Sequence, residues 1–475
     1  MPTKQRLDSF RGVFFWNNFP AFIPNLSLRG TTQSTQRLLS HVPRNFSQLQ
    51  DFLFNRGYGY RIFKNILHKN KHKFQKKTLQ LLTFAIFKSN DCYQMNFPKN
   101  LSSKLELRKQ QNAYRILGGE NDLTDFSSND YLGFAKSKTI FDQTHQYLID
   151  QKFYQNGATG SRLISGNHPL FEIAETEIAT FHHAETALLF NSGYDANIGF
   201  FQSVPQRHDL ILYDTLCHAS IRDGILMSLA KFYKFAHNDT IDLEELILKH
   251  QSNFENIYIV TESVFSMDGD SPNLSELVDI CEKHNCNLVV DEAHSLGVFG
   301  ENGCGLVQDL GLQNKVFARI MTFGKGLGCH GAVILGNTEL RDYLINFARS
   351  FVYTTGLSPH AVATIITAYR DLKFAETEIN TLRENIVFFN QQKNILGLKP
   401  LFVRSKSAIQ SAIIPCNSQV KSIAERLQKM NFNVKPILSP TVAEGQERLR
   451  FCLHSYNSKT EIDEVLELLS NEIFQ

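Results

Sequence analysis

A chain of 475 residues, 42% of them hydrophobic and with a formal net charge of only +2, can bury a large core and suits one large domain with smaller attachments. Its eight cysteines contain no C-x-x-C pair and no run of eighteen apolar residues occurs, which speaks against a zinc site and a membrane span. Cys281 and Cys286, in and just after a helical pattern, read as buried thiols, and the compartment as a reducing, cytoplasmic one.

The near-neutral total joins two unlike segments. Residues 1–94 carry 15 Lys and Arg against three acids, whereas the remainder has 34 basic and 44 acidic residues. Three readings fit the basic segment: a targeting peptide, a basic arm for nucleic acid or membrane, or an extension that is no part of the working protein. The last is preferred here, because Met95 is the first methionine after Met1 and stands where regular patterning begins. The chain is accordingly divided into an extension (1–94), an N-terminal arm (95–145), a large domain (146–375) and a small C-terminal domain (376–475).

From Met95 onward, Leu101 to Arg115 predicts a short amphipathic helix, followed by the polar turn Asp125 to Gly133 and the glycine-rich loop Asn156 to Arg162. A helix is expected from Pro169, with proline at its first turn and His182 and His183 as favourable residues at its end. Strand-like runs then appear at 186–190, 210–214, 231–235, 256–263, 287–291, 316–323 and 331–335, with helical patterns between several of them. That alternation argues for an α/β fold whose mainly parallel sheet is covered on both faces. A helical pattern at 338–350 and a long one from Pro359 to about Asn394 precede a small α+β unit with strands near 408–415, 432–438 and 447–453.

Two stretches carry chemistry. Gly324-Lys325-Gly326 follows an apolar strand pattern, and glycine on both sides suggests close approach to a ligand. A lysine desolvated at a strand end is a candidate Schiff-base former, although on this stretch alone a surface lysine in a glycine-rich turn fits as well. Asn287-Leu288-Val289-Val290-Asp291-Glu292-Ala293-His294 breaks the tie. Pyridoxal phosphate needs a lysine for the imine, a carboxylate for the pyridine nitrogen, and donors for the ring oxygen and phosphate. An Asp-x-x-His upstream of a glycine-flanked lysine has the look of a fold-type I pyridoxal enzyme.

Taken with Ser127 to Gly133, Gly160-Ser161-Arg162, Cys217-His218-Ala219-Ser220, Ser263 to Asp270 and Thr322 to Gly326, these stretches resemble the α-oxoamine synthases from about Met95 to the C-terminus. The resemblance implies a fold-type I transferase with a seven-stranded sheet, working as a homodimer on small molecules, with no metal and no nucleic-acid or membrane partner. It implies decarboxylative condensation of a small amino acid with an acyl thioester. Gly157 to Asn167 and Phe235 to Asp239 look most like the branch that joins L-alanine to a pimeloyl group on coenzyme A or acyl carrier protein. A sister branch takes glycine and acetyl-CoA.

The same resemblance assigns roles. Lys325 would hold pyridoxal phosphate and act as base, Asp291 would keep the pyridine nitrogen protonated, His294 would bond the ring oxygen, and His218 would stack on the ring; alone, His218 reads as a satisfied core histidine. Ser192, Gly193 and Tyr194 follow a strand and open a helix, which suits a phosphate dianion. Thr322 and Ser266 match positions around the cofactor, and Thr354 or Thr355 would come from a second subunit. Arg450, helped by Asn129, would hold the amino-acid carboxylate, for which a bidentate guanidinium is suited. Arg115, with Arg108 as a substitute, and Thr441 match positions near the acyl substrate.

Overall fold

The computed structural model describes residues 97–119 and 122–474, so the expected basic extension, 1–94, lies outside the described residues. Seven short strands form the centre: β1 (Thr186–Phe190), β2 (Leu210–Asp214), β3 (Lys231–Phe235), β4 (Ile257–Glu262), β5 (Asn287–Asp291), β6 (Ala318–Thr322) and β7 (Ala332–Gly336). They make one sheet in the order β1-β7-β6-β5-β4-β2-β3. Strand β7 runs against both of its neighbours, and the other pairings are parallel. The mainly parallel seven-stranded sheet expected from the sequence is therefore the one observed, each strand within two residues of its pattern.

Alternating residues of the strands feed separate apolar layers. Ala187, Leu189, Met321, Val333 and Leu335 pack with helices Pro169–Phe181 and Pro359–Leu372. Leu188, Phe190, Ile320 and Ile334 point the other way, toward Ala196, Phe200 and Ile221 of helices Gly193–Ser203 and Ala219–Met227. Two further helices, Thr240–His250 and Leu274–His284, cover the β2–β4–β5 side through Leu243, Ile247, Leu277 and Cys281. Period-2 alternation between two buried faces is what places helices on both sides. Local signals fix the helix starts: Ser192, Asp239, Asn273 and Ser358 each accept a backbone N–H of the first turn.

Beyond the large sheet, β8 (Ile409–Ile413), β9 (Lys435–Ile437) and β10 (Arg448–Cys452) form an antiparallel sheet with β10 in the middle. The turn after β4 is locked onto it. Asp268 pairs with Arg448, and the Ser405 and Ser407 hydroxyls donate to the Gly269 carbonyl at 2.7 and 2.8 Å. Gly269 is required there: its φ is +79°, and a Cβ would meet the Ile409 carbonyl oxygen at 2.2 Å.

Several expectations are corrected. The helix predicted for Leu101–Arg115 runs Lys99–Gln110, and none of its residues is buried, so it is not amphipathic in use. The pattern from Pro359 to Asn394 is two helices, Pro359–Leu372 and Glu376–Ile395, separated by a turn at Lys373 to Ala375. Helix Lys138–Asp150, capped by Ser137, has no counterpart among the sequence expectations. His182 does stand at the end of helix Pro169–Phe181, but it is buried against the Tyr369 hydroxyl at 2.9 Å. Burial, with the Arg319 cation nearby, holds its pKa well below the ordinary value, so it is a neutral core residue and not a helix-end cation. The glycine-rich loop Asn156–Arg162 is tied down structurally, Arg162 pairing with Glu175 at 2.5 Å.

Candidate active site

In a parallel sheet, residues that follow the strand carboxyl ends gather along one edge. Here β1 leads to Ser192, β2 to His218, β4 to Ser266, β5 ends in Asp291 and leads to His294, and β6 ends in Thr322 and leads to Lys325. Strand β1 points the same way as β6, because both are antiparallel to β7. The edge therefore collects chemical residues from five strands, two each from β5 and β6.

Lys325 Nζ lies 2.8 Å from His294 Nε2, and His294 Nδ1 lies 2.7 Å from the Tyr131 hydroxyl. Burial brings the lysine down to about 8, with Asp291 and Glu262 acting in the opposite direction. His294 is buried, and burial together with the Lys325 and Arg450 charges keeps it neutral, well below its ordinary pKa. Asp291 is held on both oxygens: the Ala293 N–H donates to Oδ1 at 2.9 Å and Asn197 Nδ2 donates to Oδ2 at 2.9 Å. Its register partner across β4 is Glu262, another strand-end acid. Burial first and Asp291 second hold Glu262 well above the usual carboxyl range, and its Oε1 accepts the His218 N–H at 2.5 Å. His218 caps helix Ala219–Met227, its Nδ1 lying 2.8 Å from the Ser220 hydroxyl.

Arg450, in β10, is buried and oriented by three bonds: Nε to the Ser266 carbonyl at 2.7 Å, Nη1 to Cys452 Sγ at 3.1 Å, and Nη2 to Asn129 Oδ1 at 3.0 Å. Five donors less these three leave one N–H on each Nη, the pair a carboxylate takes. Tyr131 also donates to Asn129 at 3.3 Å, so a continuous polar line runs from Arg450 through Asn129, Tyr131 and His294 to Lys325.

Ser192 is the N-cap of helix Gly193–Ser203 and accepts the Asp195 N–H at 3.0 Å. A Cβ on Gly193 would meet Thr322 Oγ1 at 2.2 Å, so only glycine lets the helix start approach the end of β6. The Tyr194 hydroxyl donates to Asp223 at 2.7 Å. Asn191 Nδ2 donates to Thr354 Oγ1 at 3.1 Å and to the Thr355 carbonyl at 2.8 Å, so within this chain both threonines adjoin the same helix start. Arg115 and Thr441 meet each other, Nη2 to Oγ1, at 3.0 Å; among the described residues this pair stands apart from the polar line at Lys325. Sequence reasoning passed over Tyr131, Asn197, Ser220 and Glu262.

The profile of the family "Aminotransferase class I and II" matches residues 121–469. An 8-amino-7-oxononanoate synthase from Emericella nidulans is 39% identical over 368 residues, which is 73% of this chain and 88% of the relative. The chain belongs to the class I and II aminotransferases, in their α-oxoamine synthase branch. A solved 8-amino-7-oxononanoate synthase from Francisella tularensis superposes with a TM-score of 0.64 at 29% identity, covering 75% of this chain and 99% of that one. Serine palmitoyltransferase from S. paucimobilis, solved with bound PLP and myriocin, reaches a TM-score of 0.72 at 23% identity over 78% of this chain and 96% of its own, a likeness of fold.

An α-oxoamine synthase takes pyridoxal phosphate as cofactor, and this chain's donor set fits it. The Gly193 cradle at a capped helix start suits a phosphate, the two-point grip on Asp291 suits a pyridinium partner, and a lysine brought to about 8 suits carbonyl chemistry. The fold-type I transferase expectation and the cofactor expectation both stand.

Proposed function

We propose that this chain condenses L-alanine with a pimeloyl thioester, carried on coenzyme A or an acyl carrier protein, to give 8-amino-7-oxononanoate for biotin biosynthesis. The observation that carries the reading is the gathering of Lys325, His294, Asp291 and His218 along the strand edge, with Arg450 of β10 joined to Lys325 through Asn129, Tyr131 and His294. Overall, the bond from the alanine α-carbon to its carboxylate breaks, a bond from that carbon to the acyl carbon forms, and carbon dioxide and the free thiol leave. Bound pyridoxal phosphate supplies the electron sink for this chemistry.

The chain's residues would divide the remaining work. Arg450, with Asn129 behind it, takes the amino-acid carboxylate on its two Nη donors. Lys325 Nζ, at about 8, is poised to lift and return the α-proton near neutral pH. Asp291 would hold the proton on the ring nitrogen, His294 would serve the ring oxygen, and His218 would stack on the ring. Ser192, Gly193, Tyr194, Thr322 and Ser266 serve the phosphate side. Arg115 and Thr441 receive the acyl chain.

The same reading makes the enzyme a homodimer in a reducing, cytoplasmic compartment, with Thr354 and Thr355 reaching a second subunit's phosphate. Tyr353, 75% exposed beside them, supports a covered surface at that point. Among the described residues no helix is long and apolar enough to cross a membrane. The test is carbon dioxide release with alanine or glycine against pimeloyl-CoA, pimeloyl carrier protein and acetyl-CoA. Turnover with alanine and a pimeloyl thioester is expected. Turnover confined to glycine and acetyl-CoA would assign the chain to the sister reaction.

A further inference from the structure

Asn197 is the buried polar group that the reaction as derived leaves unused. It is 2% exposed, in helix Gly193–Ser203, and its Nδ2 lies 2.9 Å from Ser220 Oγ and 2.9 Å from Asp291 Oδ2. Its Oδ1 is buried with no hydrogen-bond partner. An apolar residue of similar size would strip a donor from the buried Asp291 carboxylate and from Ser220, so the amide serves these two groups and not the apolar packing around it.

The protons can be followed from there. Flipping the amide would set its oxygen against the Asp291 carboxylate, so the NH2 faces Asp291 and both of its protons are committed. Ser220 Oγ therefore accepts from Asn197, and its single proton is free for His218 Nδ1, 2.8 Å away. The Ser220 backbone N–H also points at Nδ1, at 3.3 Å. Two donors on Nδ1 leave the imidazole proton on Nε2. Ser220 is 1% exposed, which leaves no bulk water to replace it.

We propose that Asn197 and Ser220 are positioning residues: one relay, Asp291–Asn197–Ser220–His218, orients the carboxylate and fixes His218 as the neutral imidazole with its proton on Nε2. This rests on the reading that Asp291 and His218 face the cofactor, and it says how the two are kept in step. The relay joins three elements that share no sequence neighbourhood: the helix after β1, the helix after β2, and the end of β5. The charged and titratable groups facing His218 are Asp291 on β5, Lys325 after β6, Glu262 on β4, and Arg222 and Asp223 on its own helix. Burial leads in lowering its pKa, and a donor on Nδ1 acts in the same direction.

The test is nitrogen NMR of the full-length protein carrying 15N-imidazole histidine, with and without pyridoxal phosphate, the His218 signals being assigned by difference from H218Q. The wild type should show a protonated Nε2, an unprotonated Nδ1 and a titration midpoint below the ordinary value. S220A should mix the tautomers and raise that midpoint by roughly half a unit to one unit, with the acid limb of the activity profile moving the same way. S220T, which keeps the hydroxyl, should restore the wild-type signals. A proton on Nδ1 in the wild type, or S220A signals identical to wild type, overturns the relay whatever product the enzyme makes. The wild-type tautomer decides the matter even if S220A folds poorly. Failure of the proposed reaction would appear instead as an absent product with the His218 signals as described.

Discussion

Replacing Asp291 with Asn removes one charge while keeping the shape, and the structure says what else it does. Both oxygens of Asp291 face donors, the Ala293 N–H and the Asn197 amide, each at 2.9 Å. An asparagine has one acceptor and one donor at its tip, so it must turn an NH2 toward one of these donors in a buried site. Leaving a buried donor unpaired costs about 1–3 kcal/mol of folding stability. The catalytic loss is larger: without the negative charge nothing holds the ring-nitrogen proton, and several kcal/mol of transition-state stabilisation, on the order of a thousandfold in rate, should go. Because the Asp291 carboxylate also supports the charged form of Lys325, the variant should lower that lysine further. Parallel measurements of kcat/KM, cofactor occupancy and thermal midpoint separate the two losses. Less than about a tenfold fall in kcat/KM at full occupancy would show that Asp291 does not do this work.

Three further outcomes follow from the geometry. Lys325 sits at about 8, so its reactive neutral fraction should rise as pH passes through 8, and cofactor uptake by the emptied protein should follow with that midpoint; one near 10 contradicts the burial argument. R450K should raise KM for the amino acid by roughly tenfold to a hundredfold with cofactor occupancy unchanged, because a lysine cannot offer the paired Nη donors; an unchanged KM would place the carboxylate elsewhere. Burial opposes the charged form of His237, yet its bonds to Asp214 and Asp270, at 2.9 and 2.8 Å, raise it to about 10. A raised folded-state pKa gives stability that is complete below the unfolded value, near 6.5, and lost as pH climbs toward 10. Denaturant midpoints of the wild type should fall across that window, on the order of 2 kcal/mol, and those of H237Q should stay flat by comparison; parallel curves would contradict it.

What the sequence disclosed divides along the range of the interactions. Strands β1, β2, β4, β5 and β7 were legible because strands buried on both faces read as short, mostly apolar runs, whereas β3, at the sheet edge with Lys231 and Lys234 exposed, carries a weaker pattern. Lys325, Asp291 and His294 were legible because glycine flanks and an acid at a strand end are local departures from packing logic. The two positioning residues were not. Asn197 and Ser220 look like ordinary helix residues until the helices after β1 and β2 are brought together. Tyr131 lay inside a quoted motif, but its role depends on a histidine 163 positions away. Glu262 did leave a signal, a carboxylate ending an otherwise apolar strand just as Asp291 does, and only the β4–β5 register puts the two side by side. His182 was misread because its helix-end position was visible and its burial under Tyr369 was not.

Lys325 is the residue on which the proposed chemistry turns, and one labelling experiment reaches it directly. The protein loaded with pyridoxal phosphate is reduced with borohydride, digested, and the peptides are read by mass spectrometry. A single reduced pyridoxyl adduct is expected, on the peptide carrying Gly324-Lys325-Gly326, and none on a K325A protein that remains folded. An adduct on another lysine, or a K325A enzyme that turns over at the wild-type rate, would contradict it.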